Sequence, residues 1–144
     1  MARILIIDDS ASMIAFLEQT LNRAGHGVTT ARNGKEGLEL LEKRGFDLVI
    51  TDLYMPELDG IETIRRARAA GLLPRLIAIS SKDSIVNLLP AARMMGAMRT
   101  LQKPFTAEQL LETVSSVLLL SVPAASPVNS SGPPGGAPGS ARRA

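Results

Sequence analysis

The sequence predicts an α/β domain: a doubly wound parallel sheet of five strands with five helices. Three observations lead there. Short apolar runs alternate with stretches of helical periodicity. The runs carry few polar positions, as strands covered on both faces do. Five such β-α units fit within about 120 residues, the size of one ordinary domain. Right-handed crossovers between parallel strands then put helices on both faces.

The elements follow in order. Arg3–Ile7 is an Ile-rich run and the first strand. Ser12–Ala24 carries Met13, Leu17, Leu21 and Ala24 at helical spacing, and Gly25 and Gly27 bracket its end. Val28–Ala31 is a second strand. Asn33-Gly34 is a turn and a helix cap, followed by a helix through Leu38 and Leu41 to Arg44. Asp47–Thr51 is the third strand. Asp59 caps a helix through Ala70, ended by Gly71. Leu76–Ile79 is the fourth strand. The next helix runs from Asn87 to Met95 and ends at Gly96. Pro90 falls in its first turn, where a missing N–H costs little. Met98–Leu101 is the fifth and weakest strand. Thr106 caps a last helix to Leu120, with Leu110, Val114, Val117 and Leu118 on its buried face. Met94, Met95 and Met98 read as core filler. His26, just after a helix-ending glycine, reads as a solvent-exposed side chain.

Composition bounds the function. The chain has 144 residues, 45% hydrophobic but only 3% aromatic, so the core must come from aliphatic side chains. It has no cysteine, which excludes disulfides and thiolate metal sites. The apolar start ends at Asp8-Asp9, too soon for a secretion signal, and no run approaches the ~20 residues of a membrane span. A cytoplasmic location and no membrane association are therefore expected. The formal charge is +2, from 16 basic and 14 acidic residues. Arg142 and Arg143 account for the excess, so a pI near 9.4 says little about nucleic acid. Residues 121–144 hold five of the nine prolines and four of the twelve glycines. They cannot bury enough apolar surface to order themselves and read as a disordered tail after a domain of residues 1–120.

The acids sit at strand ends. Asp8 and Asp9 follow strand one, and Asp52 follows strand three. Ser80 and Ser81 follow strand four, and Lys103 follows strand five. Doubly wound sheets bind ligands at the carboxyl ends of strands where the winding reverses. If strands one and three are neighbours there, three carboxylates converge and repel one another. An oxygen-only set suits a hard divalent ion such as Mg²⁺, and the ion with one lysine would neutralise the three acids. A carboxylate beside Mg²⁺ can act as a nucleophile toward phosphorus.

Four motifs resemble those of response-regulator receiver domains. They are Ile4–Ile7 with Asp8-Asp9, Asp52 to Pro56 with Asp59-Gly60, Ser80, and Lys103-Pro104-Phe105. The resemblance covers residues 1 to about 120. It implies a flavodoxin-like sheet in the order 2-1-3-4-5; a chemotaxis member of this family is a stock example of that order. It implies that Asp52 accepts a phosphoryl group from a sensor histidine kinase or a histidine phosphotransfer protein. It implies Mg²⁺ held by Asp9, Asp52 and the backbone carbonyl of Tyr54, with Asp8 acting through water. Lys103 would pair with the phosphoryl oxygens, and Ser80 would hydrogen-bond them and draw its loop inward. The Lys103-Pro104 bond is expected to be cis. The family's usual Tyr or Phe three residues before the lysine is here Thr100, so the switch is expected to rely more on the segment Ser81–Val86.

Self-catalysed phosphotransfer and slow autodephosphorylation are the only chemistry expected; the chain is not read as an enzyme. Three other readings compete. One is a phosphorelay shuttle, or a receiver piece of a larger regulator. One is a receiver that has lost its chemistry and only binds. The last is a Mg²⁺-dependent aspartyl phosphatase, which needs an acid two residues after the nucleophile, where this chain has Tyr54. No DNA-binding motif follows the last helix, and the downstream target is not legible.

Overall fold

The computed structural model describes residues 1–53, 60–81, 89–94 and 96–120. The expectations for Tyr54, Asp59, Met95, the segment 82–86 and the tail 121–144 fall outside those residues. The elements alternate as the sequence predicts: β1 (Arg3–Ile7), α1 (Ala11–Arg23), β2 (Gly27–Ala31), α2 (Gly34–Lys43), β3 (Leu48–Asp52), α3 (Gly60–Ala69), β4 (Arg75–Ser81), α4 (Leu89–Met94), β5 (Arg99–Lys103) and α5 (Ala107–Leu118). The five strands are parallel in the order β2-β1-β3-β4-β5.

Alternation along β1 explains the two layers. Ile4 and Ile6 point to one face and meet Leu17 and Leu21 of α1 and Leu110, Val114 and Val117 of α5. Leu5 and Ile7 point to the other and meet Leu41 of α2 and Ile64 and Ala67 of α3. The four isoleucine and leucine side chains of β1 are wholly buried. Each contributes about 1.5–3 kcal/mol relative to exposure. That burial fixes the register, because a slip of one residue would exchange the two faces.

Helix ends obey local chemistry. α1 starts at Ala11, one residue earlier than the helical spacing indicated, and Ser10 caps it: its Oγ accepts from the Met13 N–H at 3.3 Å. Asn33 caps α2 as read from the sequence, through Oδ1 and the Glu36 N–H at 2.9 Å. Thr106 and Gln109 form a reciprocal capping box on α5, at 3.0 and 2.8 Å. Gly25 and Gly71, which follow α1 and α3, take positive φ of 93° and 72°. The strands run further than their apolar runs. Asp52 pairs with Ile79, and Ser81 with Lys103, so β3, β4 and β5 each extend into polar sequence.

Two side chains depart from expectation. Met94 closes α4 and is 85% exposed rather than part of the core, whereas Met98 is partly buried as expected. His26 is half-buried, and its Nδ1 accepts from the Ala2 N–H at 3.1 Å. Gly27 N–H donates to the Ala2 carbonyl at 2.9 Å, so this turn holds the start of β1. Among the described residues no helix is long and apolar enough to cross a membrane.

The imidazole can accept that bond only while Nδ1 is unprotonated. Burial, and then the charge of the amino terminus, lower the His26 pKa below its usual 6.5. The unfolded chain therefore holds the proton more tightly. The contribution of His26 to stability is full above pH 6.5 and drains away as the pH falls through the lowered folded value. A bond of this kind is worth about 1 kcal/mol. The melting temperature of His26→Ala should thus lie below that of the wild type at pH 7.5, and the gap should narrow by pH 5. A gap independent of pH would mean that the ring acts through packing alone.

Candidate functional site

Because all strands run the same way, their carboxyl ends share one edge of the sheet. β1 and β3 are neighbours there, with β2 turning one way from β1 and β4 the other way from β3. That is the reversal point at which doubly wound sheets bind ligands.

Asp8 follows β1 directly. It is buried, its backbone N–H donates to the Ala31 carbonyl at 3.1 Å, and its Oδ1 accepts from the Ser10 N–H at 2.8 Å. Its Oδ2 is also buried and has no hydrogen-bond partner among the described residues; the Lys103 ammonium stands 3.6 Å away. Asp9 lies exposed at the rim. Asp52 is the last residue of β3 and 5% exposed, with Oδ2 accepting from Lys103 Nζ at 3.3 Å. Asp8, Asp9 and Asp52 each present a carboxylate oxygen within 4.8 Å of the others.

Lys103 ends β5 and reaches across β4 to both buried acids, with its own side chain 23% exposed. The Lys103-Pro104 bond is cis, as the resemblance implied. Ser80 lies on β4 between the Asp52 and Lys103 strands and is 2% exposed. Thr100 sits mid-strand opposite Ala78, with its Oγ1 3.5 Å from the Arg93 guanidinium, the outer limit of hydrogen bonding.

Two positions that shape the site escaped the sequence reading. Ser10 both caps α1 and donates to Asp8, so one residue ties the helix to the acid. A serine just ahead of an apolar helical run was the available signal. Gly60 begins α3 hard against the end of β3. A Cβ there would overlap the Asp52 carbonyl oxygen and lie 2.6 Å from Leu53 Cα. Its N–H donates to the Leu53 carbonyl at 3.1 Å, which pins the start of α3 beside the end of β3. The pair Asp59-Gly60 was part of the family motif, but the reason for the glycine is this close approach.

Among the described residues, one lysine meets two of the three clustered acids. Burial, and then the charges of Asp52 and Asp9, raise the Asp8 pKa above its usual value, against the opposing pull of the Ser10 N–H and Lys103. The residues fit a hard divalent cation: the donors are all oxygens, and one buried carboxylate oxygen lacks a hydrogen bond among the described residues.

A raised folded pKa means that Asp8 favours folding when protonated. That benefit is full below the ordinary carboxylate value and is lost as the pH rises through the raised one. Asp8→Asn keeps an acceptor for Ser10 and removes the charge. In chelator at pH 7 it should melt roughly 3–6 °C above the wild type, about 1 kcal/mol. The gain should shrink as the pH falls through the raised value, because the wild-type acid then takes up a proton. A lower melting temperature at pH 7 would show that the charge of Asp8 stabilises the metal-free fold.

A family profile described as "Response regulator receiver domain" matches residues 4–115. The chain is 32% identical over 116 residues to the alkaline phosphatase synthesis transcriptional regulatory protein PhoP of Bacillus subtilis, covering 81% of this chain and 48% of that protein. It is 34% identical over 119 residues to the response regulator receiver protein CpdR of Brucella abortus, covering 83% and 98%. The structure of chemotaxis protein CheY4 of Vibrio cholerae matches with a TM-score of 0.74 at 32% identity, covering 81% and 98%. The chain thus spans about half the length of PhoP and of similar curated regulators, and nearly all of CpdR. With its sheet order, its acid triad and these matches together, the chain belongs to the response-regulator receiver domains of two-component signalling.

Proposed function

We propose that Asp52 is the phosphoacceptor and that a sensor histidine kinase or a histidine phosphotransfer protein supplies the group. The carrying observation is the Asp52 carboxylate at a strand end, 3.3 Å from the Lys103 ammonium and within the acid triad. An Asp52 oxygen attacks phosphorus, the phosphorus–nitrogen bond to the donor imidazole breaks, and an acyl phosphate remains on the protein. Asp9 and Asp52 would hold Mg²⁺, with Asp8 acting through water. The Tyr54 carbonyl, outside the described residues, completes the set that the family resemblance implies. When bound, the ion offsets charge on the transferring phosphoryl oxygens.

The protein's own residues do the rest. Lys103 is held by β5 where it meets both Asp8 and Asp52, and it follows the negative charge onto the phosphoryl group. Ser80, buried on the intervening strand, supplies a hydroxyl toward the same group. Its shift carries the backbone after β4 and makes the modification visible at the surface. Thr100 cannot bury a ring behind that shift, so the coupling runs through the segment after Ser80.

The phosphorylated domain then changes which protein it binds, either as a shuttle or as the receiver of a longer regulator. A cytoplasmic location follows from the kinase partner. Acetyl phosphate with Mg²⁺ should add one phosphoryl group to the wild type by intact mass and none to Asp52→Asn. Equal labelling of the two proteins would place the acceptor elsewhere. Chelation of the metal should abolish labelling of the wild type.

A further inference from the structure

The end of the sheet opposite the acid triad has its own chemistry. Helices return antiparallel to the strands, so helix carboxyl ends and strand amino ends gather at that pole. Three of the five strands begin with arginine: Arg3, Arg75 and Arg99. The last turns or caps of α1 to α4 add Arg23, Lys43, Arg44, Arg66, Arg68 and Arg93. Among the described residues only Glu42, Asp47 and Glu62 bring carboxylates there; Asp47 already accepts from the Arg3 N–H at 2.8 Å, and Glu62 accepts from Arg66 Nε at 2.8 Å. Cations at helix ends are favoured by the helix dipole. That does not explain the arginines that open strands.

Apart from Arg66, none of these guanidinium groups is bound by a carboxylate among the described residues. Arg68 donates to the Met94 carbonyl at 3.4 Å, Arg75 to the Leu120 carbonyl at 2.8 Å and Arg99 to the Met98 carbonyl at 2.8 Å. The carbonyls hold the groups in place without neutralising them.

A second, independent observation concerns apolar side chains. The large hydrophobic residues left exposed among those described are Met1, Met94, Leu119 and Leu120, at 90, 85, 87 and 36%. All four sit at this same pole: Met1 precedes β1, Met94 ends α4, and the two leucines follow α5. Arg68 and Arg75 bond the carbonyls of two of them. Exposed aliphatic tips set among fixed cations match a surface with negative headgroups over hydrocarbon. Nucleic acid would use the cations but has no need of the aliphatic tips, and Phe46, half-buried beneath Arg3 at 5.9 Å, offers no open stacking face.

We propose that this basic pole docks on an anionic lipid bilayer, with Met94 and Leu119 entering the headgroup boundary. It is a peripheral contact, distinct from a membrane span. It lies a strand length, about 17 Å, from the acid triad, so the phosphoacceptor site would face away from the lipid.

The test is co-sedimentation of the full chain with vesicles of phosphatidylcholine, with and without phosphatidylglycerol. Binding is expected only with phosphatidylglycerol and should weaken as salt is raised. The double variant Arg44→Glu with Arg99→Glu should bind more than about tenfold more weakly. Arg32→Glu with Lys35→Glu makes the same change in net charge at the opposite pole and should bind as the wild type does. Met94→Ser with Leu119→Ser should lose binding several-fold at unchanged charge. Melting temperatures check that each variant is folded. Wild type that stays in solution with the anionic vesicles overturns the proposal, as do equal losses from the two charge-reversed variants. Retention of a DNA duplex without vesicle binding reassigns the pole to nucleic acid and also overturns it.

Discussion

Holding three carboxylates within 4.8 Å of one another costs free energy, and much of the remaining structure can be understood as what keeps them there. Asp8 and Asp52 are buried at the ends of adjacent strands whose other residues are almost entirely aliphatic. The isoleucines and leucines of β1 and β3 supply the burial that outweighs the repulsion. The Ser10 N–H and the Lys103 ammonium reduce it locally. Neither neutralises it, and a divalent cation does so most simply. A site short of positive charge favours the binding of a cation.

Parallel topology turns this local problem into a polarity of the whole domain. Every strand delivers its carboxyl end to the edge that holds the acids and its amino end to the opposite edge. Acids concentrate at the first and arginines at the second, although residues 1–120 carry balanced charge. A chain with antiparallel strands would mix the two. The same geometry lets Lys103, fifty-one residues from Asp52 in sequence, reach it across one intervening strand.

Much of this was legible in the sequence. Five aliphatic runs alternating with helices give the layers, and acids after the first and third runs give the site. What escaped had physical reasons. Strand ends were placed where apolar character stopped, but backbone pairing does not stop there, so Asp52, Ser81 and Lys103 belong to strands. Gly60 was legible only as part of a motif because its real constraint is a neighbour, the Asp52 carbonyl. His26 looked exposed because its partner, the Ala2 N–H, lies twenty-four residues away. Met94 fits an apolar helical pattern, but α4 ends there and leaves it in solvent. The basic pole is scattered from Arg3 to Arg99 in sequence, and only the winding of the chain gathers it.

Metal-linked stability tests the electrostatic account most directly. The melting temperature of the wild type and of Asp9→Asn can be followed as Mg²⁺ is added to chelator-treated protein at pH 7. Ligand that binds only the folded state stabilises it by RT ln(1 + [L]/Kd), about 2.7 kcal/mol at a hundredfold excess over Kd. The wild type should rise with Mg²⁺ and saturate, while Asp9→Asn should stay nearly flat over the same range. A flat wild-type curve, or an equal rise in the variant, would contradict the claim that the acid triad is built around a divalent ion.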